Sequence, residues 1–446
     1  MNEDRILDIA TDAMRRAGVA GEVYLERSQS THIAVHEGKI ESLVQRGARG
    51  AGLRIFEDHR TAFQFTADLT PEGLAQAVET ARAIAPHTKQ DDANALTGVA
   101  ASVPLLVNHD PSVGETPLDA KMEIARTVER SARAESPRIE KTRESSYQDF
   151  QSRIWIANTA GGRISHEASR CYAGIDLAAT EGGASQTGAC VGWALGPQGL
   201  DPAFVGREAA RRGLRKLGAT QPRTARTTVV LDPEATAGLF GALAGLFSAE
   251  AVLKDRSLFA NKLGETVASP AVTLVDDGGI AGGFSSAPVD GEGTPTGETV
   301  LISQGALRAY FHSAFTARKM GVAPTGNGVR GGYSNAPEPS PTNLYLRPTG
   351  TTREALLASA GSGIYVTEWM GLHTVNTTTG DFSLGATGMT LEEGRLGGGV
   401  DRMAISGNIA SLLGSVEAVA TDLVFLVQGG GATVLLRDIS ISGAGS

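Results

Sequence analysis

Hydrophobic and polar positions alternate between two periods along this chain. Ile6, Ile9, Ala10, Ala13 and Met14 recur at helical spacing and predict an opening helix. Period-two stretches follow at EVYLERS, HIAVHEGKIESLVQRG and AGLRIFEDHRTAFQFT, where Val23 and Leu25, Ile33 and Val35, and Phe63 and Phe65 share faces. Glycines 38, 47, 50 and 52 read as punctuation between them. Thr70 and Pro71 then open a helix with Leu74, Ala77, Val78 and Ala81 as its apolar stripe.

Residues 86–115 are polar and rich in turn formers, and read as a linker or long excursion. The theme then repeats. Thr116 and Pro117 start a helix running to about Ala134 on Leu118, Met122, Ala125 and Val128. A meander of long strands follows, with hairpin turns at Asn158–Gly162 and Glu181–Ala184, and a helix at about 202–217 closes it. After the β-run RTTVVLD, residues 233–253 predict one continuous helix with Leu239, Leu243, Leu246 and Phe247 inward. From 271 onward the pattern is short strands and glycine-rich loops, broken by a helix near 313–320. The expected class is α+β: N-terminal mixed α/β segments with long antiparallel strands, then a β-rich C-terminal domain. The expected units are 1–110, 116–222 and 223–446.

Composition sharpens this outline. At about 150 residues per domain, 446 residues suit roughly three folding units. Glycine, at 56 residues, is far above average usage, so the chain needs many turns or close backbone approaches. A net charge of −9 argues against nucleic acid as a direct partner. The densest basic stretch, with Arg207, Arg211, Arg212, Arg215 and Lys216, reads as a solvated helix face. Two cysteines make no disulfide framework, the N-terminus is a charged amphipathic helix rather than a signal peptide, and no run of 18 apolar residues occurs. A soluble cytoplasmic protein with no membrane partner is expected.

The candidate chemistry is thin. GNGVRG matches a dinucleotide fingerprint at Gly326, Gly328 and Gly331, but a helix precedes it and a proline-rich stretch follows, so no helix N-terminus can face a pyrophosphate. Gly38–Lys39 lacks the hydroxyl of a Walker loop. His36–Glu37 and His166–Glu167 do not complete H-E-x-x-H, because Ile40 and Arg170 stand where the second His belongs. His166 and Cys171, five apart on a predicted strand, should face opposite ways. Histidines 32, 59, 87, 109, 312 and 373 are scattered singly, and no G-x-S-x-G occurs. Asp276–Asp277 and Glu392–Glu393 lie in or beside glycine-rich loops. Asp290-Gly291-Glu292 reads as a turn bonding its own amides, with a hard-cation site as the alternative.

An ordered series of segments carries more. The helix GLFGALAGLFSAEAVLKDRSLFANKLGETVASP is followed by LVDDGG, PVDGEGTPTGETVLISQGALRAYFHSAFTARKMG, TGNGVRG and SPTNLYL, and GKIESLVQRGARGAGLRIF stands near the N-terminus. In these the chain resembles the TldD/PmbA family, in its PmbA (TldE) branch, over nearly its whole length. The resemblance implies a metallopeptidase fold whose active members carry H-E-x-x-x-H on the helix after the RTTVVLD strand. Here the two zinc-ligand positions fall on Gly241 and Leu246 and the base position on Ala242. Gly245 matches the motif glycine, the later acid falls on Ala249 with Glu250 one residue beyond, and no cysteine follows Cys190 to supply a C-terminal ligand. Glycine and leucine side chains offer no donor atom.

The resemblance therefore implies a non-catalytic subunit without a cofactor of its own. It would pair with a TldD-like, zinc-bearing subunit in a cytoplasmic heterodimer that cuts or processes peptides. The alternative is a homodimeric binding protein of the DNA gyrase modulator type. A hydrolase using Asp290, Glu292 or Ser257 is a third option.

Overall fold

The computed structural model describes residues 1–443. Helix α1 (Glu3–Arg16) is capped by Asn2, whose side chain accepts from the Arg5 amide at 3.0 Å. Acids occupy its first turn and arginines its last, which complements the helix dipole. Three antiparallel strands follow, β1 (Ala20–His36), β2 (Lys39–Glu57) and β3 (Arg60–Thr66), and then α2 (Pro71–Ile84), capped by Thr70. Ile6, Leu7, Ala10 and Met14 of α1 pack with Leu74, Val78 and Ala81 of α2 on Val23, Leu25, Leu53 and Ile55 of the strands.

The second segment repeats this order. After a single turn, α3 (Ser112–Glu115), come α4 (Leu118–Glu135), β4 (Lys141–Asn158), β5 (Arg163–Glu181), β6 (Ala184–Ala194) and α5 (Pro202–Lys216). The predicted turn between β5 and β6 is made by Gly182 and Gly183, both at positive φ. The two halves share one six-stranded sheet, ordered β3-β2-β1-β4-β5-β6. They join where β1 and β4 pair antiparallel, from Glu22 opposite Asn158 to Val35 opposite Ser145.

The stretch between the halves is docked rather than free. Thr97 O accepts from the Asn158 side chain, Ala100 N donates to Gly293 O, and Asn108 O accepts from Ser169 N.

In the C-terminal region, β7 (Ala225–Leu231) belongs to a sheet with Gly363–Met370, Asp381–Glu392, Arg395–Asn408 and Val434–Ser442. Arg395–Asn408 pairs with both Asp381–Glu392 and Val434–Ser442, which closes the sheet into a barrel. A smaller sheet of Leu274–Asp277, Glu298–Ser303, Ala306–Leu307 and Leu344–Leu346 lies against it. The class is α+β with a β-rich C-terminal region, as the periodicity implies.

Two expectations change. The continuous helix over 233–253 is broken into α6 (Pro233–Leu243), a 3₁₀ turn (Ala244–Phe247) and α7 (Ala249–Leu253). Backbone bonds with a distant segment compete at the break, where Phe311 N donates to Phe247 O (2.7 Å) and Ala249 N donates to Phe311 O (3.0 Å), and the Ser257 hydroxyl donates to Leu246 O (2.6 Å). Glycines 47, 50 and 52 do not punctuate strands but lie inside β2. A Cβ at Gly50 would overlap the Tyr333 ring, and one at Gly52 the Tyr333 carbonyl. The missing side chains let the C-terminal region approach the sheet backbone.

Candidate functional site

The positions to which the resemblance pointed lie where α6 ends. Gly241 is half-buried in the last turn of α6, and Ala242 beside it is half-buried too. Leu246 is fully buried in the barrel core among Leu239, Leu243 and Phe247. A Cβ on Gly241 would lie 3.1 Å from Gln428 O and 3.8 Å from Gln428 Cβ. Gln428 sits at the tip of the hairpin formed by Val424–Leu426 and Gly429–Gly431. That hairpin reaches α6 through glycine, since a Cβ on Gly431 would overlap Pro233 O. Glu250, in α7, is paired to Lys254 just beyond that helix. These residues do not fit a zinc ion, because no donor atom stands at 241, 242 or 246 and the Gln428 backbone lies where a side chain from 241 would go. Among the described residues, no group of three or more His, Cys, Asp or Glu side chains is placed to hold a metal.

The other sequence candidates are held apart. His36 ends β1 and Glu37 turns at positive φ. His166 and Cys171 lie on β5 in unbroken register with β4, so their odd separation puts them on opposite faces. Burial pushes the His166 pKa down to about 4, and no partner meets its Nδ1. Glu167 turns instead to Arg153 (3.4 Å) and His109 (3.6 Å). Cys171 and Cys190 are free and buried, and burial raises both thiols to about 11. Ser257 is buried with its hydroxyl given to Leu246 O, so it is not poised as a nucleophile.

Asp290 and Glu292 enter a different construction, one that joins the N-terminal sheet to the C-terminal region. Asp290 Oδ1 accepts from Glu292 N (2.9 Å) and Thr294 N (3.0 Å), which is the expected self-bonded turn, and Oδ2 accepts from Gly328 N (2.8 Å). Burial, and then the neighbouring Glu292 carboxylate, raise the Asp290 pKa to about 7. Glu292 is fully buried. Its Oε1 accepts from Arg54 at 2.6 Å and its Oε2 from Ala314 N at 2.7 Å, at the start of the helix Ala314–Met320. Arg54 also lies 2.8 Å from Glu22, its cross-strand partner.

Arg330 completes the group. It donates to Glu22 (2.5 Å), Gly291 O (2.7 Å) and Asn335 O (3.0 Å), and its guanidinium lies over the rings of Tyr24 (5.1 Å) and Phe63 (5.8 Å). Tyr333 N donates to Glu26 Oε2 at 2.8 Å. GNGVRG is therefore a docking segment: its Gly328 closes on the Asp290 turn and its Arg330 reaches into the sheet. Beside it opens a cleft of about 390 Å³ walled by Phe56, Phe63, Phe315 and Pro337, with Leu253 at the end of α7 and Lys254 just after it at one side.

Sequence reasoning passed over Glu22, Arg54 and Arg330. A signal existed for the first two, which are charges on the strand face opposite the apolar Val23, Leu25 and Leu53. That face carries Glu22, Tyr24, Glu26, Gly50, Gly52 and Arg54, and it is the one the C-terminal region covers.

Known proteins share this architecture. A curated relative, metalloprotease PmbA from Escherichia coli O157:H7, is 26% identical over 95% of this chain and 92% of its own length. A solved Thermotoga maritima structure, whose name links it to modulation of DNA gyrase, is 26% identical with a TM-score of 0.90, covering 99% of this chain and 100% of that one. TldE from Thermococcus kodakarensis, at 20% identity and a TM-score of 0.86, covers 99% of both chains and shares the fold. PmbA-named and TldD-named curated proteins both stand among the matches, the latter including a metalloprotease TldD homolog from Haemophilus influenzae, 28% identical over 90% of this chain and 85% of its own length. Residues 21–85, 111–217 and 224–443 match the first, central and C-terminal domains of the PmbA/TldA metallopeptidases. With its three domains matched in order, the chain belongs to the PmbA/TldD metallopeptidase family.

Proposed function

We propose that this chain is the non-catalytic subunit of a PmbA/TldD-type peptidase complex, paired with a TldD-like subunit that carries the zinc. One observation carries the reading: at α6, where the resemblance puts the family's metal-binding helix, Gly241, Ala242 and Leu246 supply no ligand or base and the Gln428 hairpin lies against Gly241. Active zinc peptidases need ligand side chains, and positions 241, 242 and 246 offer none. The complex is read as cytoplasmic, in keeping with two free, buried cysteines. The second reading, a homodimeric binding protein, draws on the gyrase-linked name of the Thermotoga maritima relative.

Elemental analysis and peptidase assays on the lone chain, and on the chain co-purified with a TldD-like subunit, separate these readings. The expected result is zinc and peptide cleavage in the pair alone. Stoichiometric zinc on the lone chain overturns the proposal, and failure of any TldD-like subunit to co-purify favours the homodimer.

A further inference from the structure

Among the described residues, the hairpin of β1 and β2 leaves a long strand edge without a partner. β2 pairs with β1 from Lys39 to Phe56, but β3 pairs only with Ala51–Glu57. From Lys39 to Gly50, therefore, one edge of β2 meets no strand of the described residues. A bulge opposite Ala34/Val35 interrupts the start of this edge, and regular pairing to β1 runs on from Ser42. Most residues from Glu41 to Arg49 are exposed, including Leu43 at 38% and Val44 at 37%. Backbone donors and acceptors alternate along such an edge, so what fits it is another extended chain.

Charge selects the occupant. Between Lys39 and Gly50 stand Lys39, Arg46 and Arg49 against Glu41, on a chain whose net charge is −9. Glu3 answers Arg49 at 3.3 Å, which leaves Lys39 and Arg46 against the single Glu41. A second copy paired in register about Arg46 would set the two Arg46 side chains directly opposite each other, and like charges so placed are unfavourable. An acidic extended chain meets no such cost. We propose that the Ser42–Arg49 edge of β2 captures extended, acidic peptide segments by strand addition. The site is remote in sequence from α6 and requires no second subunit, so it stands or falls apart from the zinc reading above.

Fluorescence anisotropy on the full chain tests it with labelled twelve-residue peptides. One alternates Glu and Val, one replaces each Glu with Lys, and two are acidic peptides N-methylated on odd or on even residues. The acidic peptide should bind about tenfold more tightly than the basic one at low salt. One N-methylated phase should lose binding and the other keep it, because only alternate peptide amides face the edge. Arg46→Glu, on an exposed position, should weaken acidic-peptide binding severalfold while the far-UV spectrum and melting temperature stay unchanged. Equal binding of acidic and basic peptides, retention of binding by both methylated phases, or self-association abolished by Arg46→Glu would each overturn the proposal.

Discussion

Replacing Arg330 with methionine tests whether the charged group at the junction holds the two regions together. The guanidinium side chain is 1% exposed and ion-pairs with Glu22, itself 2% exposed. Methionine keeps much of the apolar contact with Tyr24 and Phe63 but donates nothing. Gly291 O and Asn335 O lose this donor, and Arg54 is left to serve the carboxylates of both Glu22 and Glu292. Removing one partner of a buried pair costs about 3–5 kcal/mol, because the other charge stays buried without an answer. The expected outcome for Arg330→Met is a loss of that size in urea unfolding, followed together by far-UV circular dichroism and tryptophan fluorescence. Adding Glu22→Gln should restore about 1–3 kcal/mol through the coupling of touching groups. A loss under about 1 kcal/mol, or strictly additive single variants, would refute the view that this cluster is a coupled clamp.

Three further outcomes follow from the same geometry. Gly50→Ala and Gly52→Ala should each destabilise by about 1–3 kcal/mol through overpacking, and Tyr333→Ala should relieve Gly50→Ala but not Gly52→Ala, which meets backbone; thermal melts of the single and double variants decide it. Asp290 holds its proton in the folded chain up to about pH 7 but loses it near pH 4 when unfolded, so its contribution to stability is present below that lower value and declines as pH rises through the interval. Asp290→Asn should flatten the pH–stability curve between about 4 and 7, and an unchanged slope contradicts the assignment. Cys171 and Cys190, buried and with raised pKa values, should react with a thiol reagent at pH 8 only in denaturant; prompt labelling of the native chain would show that one of them is reachable.

What could be read from the sequence was what neighbouring residues decide among themselves. The stripe of α2 and its Thr70 cap, the Gly182–Gly183 turn, and the helix at Ala314–Met320 with its Ser313 cap all rest on contacts a few residues long. The joining of the two halves into one sheet rests on β1 meeting β4, whose paired residues lie more than a hundred positions apart, and no local pattern encodes that register. The broken helix failed for the same reason. An all-apolar stretch with weak glycine helix propensity yielded its backbone groups to Phe311, some sixty residues downstream. Arg330 and Glu22 are 308 residues apart, and only the covered sheet face makes them partners.

The glycine excess gains its meaning at these long-range contacts. Gly50 and Gly52 admit Tyr333, Gly291 admits the Arg330 stem, and Gly328 leaves room for the Asp290 and Glu292 carboxylates. At Gly50 and Gly52 any side chain would separate the two regions; at Gly291 and Gly328 it would open the turn that carries the ion pairs. Gly241 likewise admits a backbone, within the C-terminal region. Read as a string, it records only that a ligand is missing; in the fold it is a contact surface, because the Gln428 carbonyl would lie 3.1 Å from any Cβ there. Leu246 has likewise been absorbed into the core, where exchanging it for histidine would cost about 2–5 kcal/mol in lost packing before any metal could bind. Restoring histidines at 241 and 246 and a glutamate at 242 is therefore expected to yield an unstable chain rather than a zinc site. Stoichiometric zinc in a folded triple variant would show that the Gln428 hairpin yields its place, and that the helix remains a metal scaffold lacking nothing but its ligands.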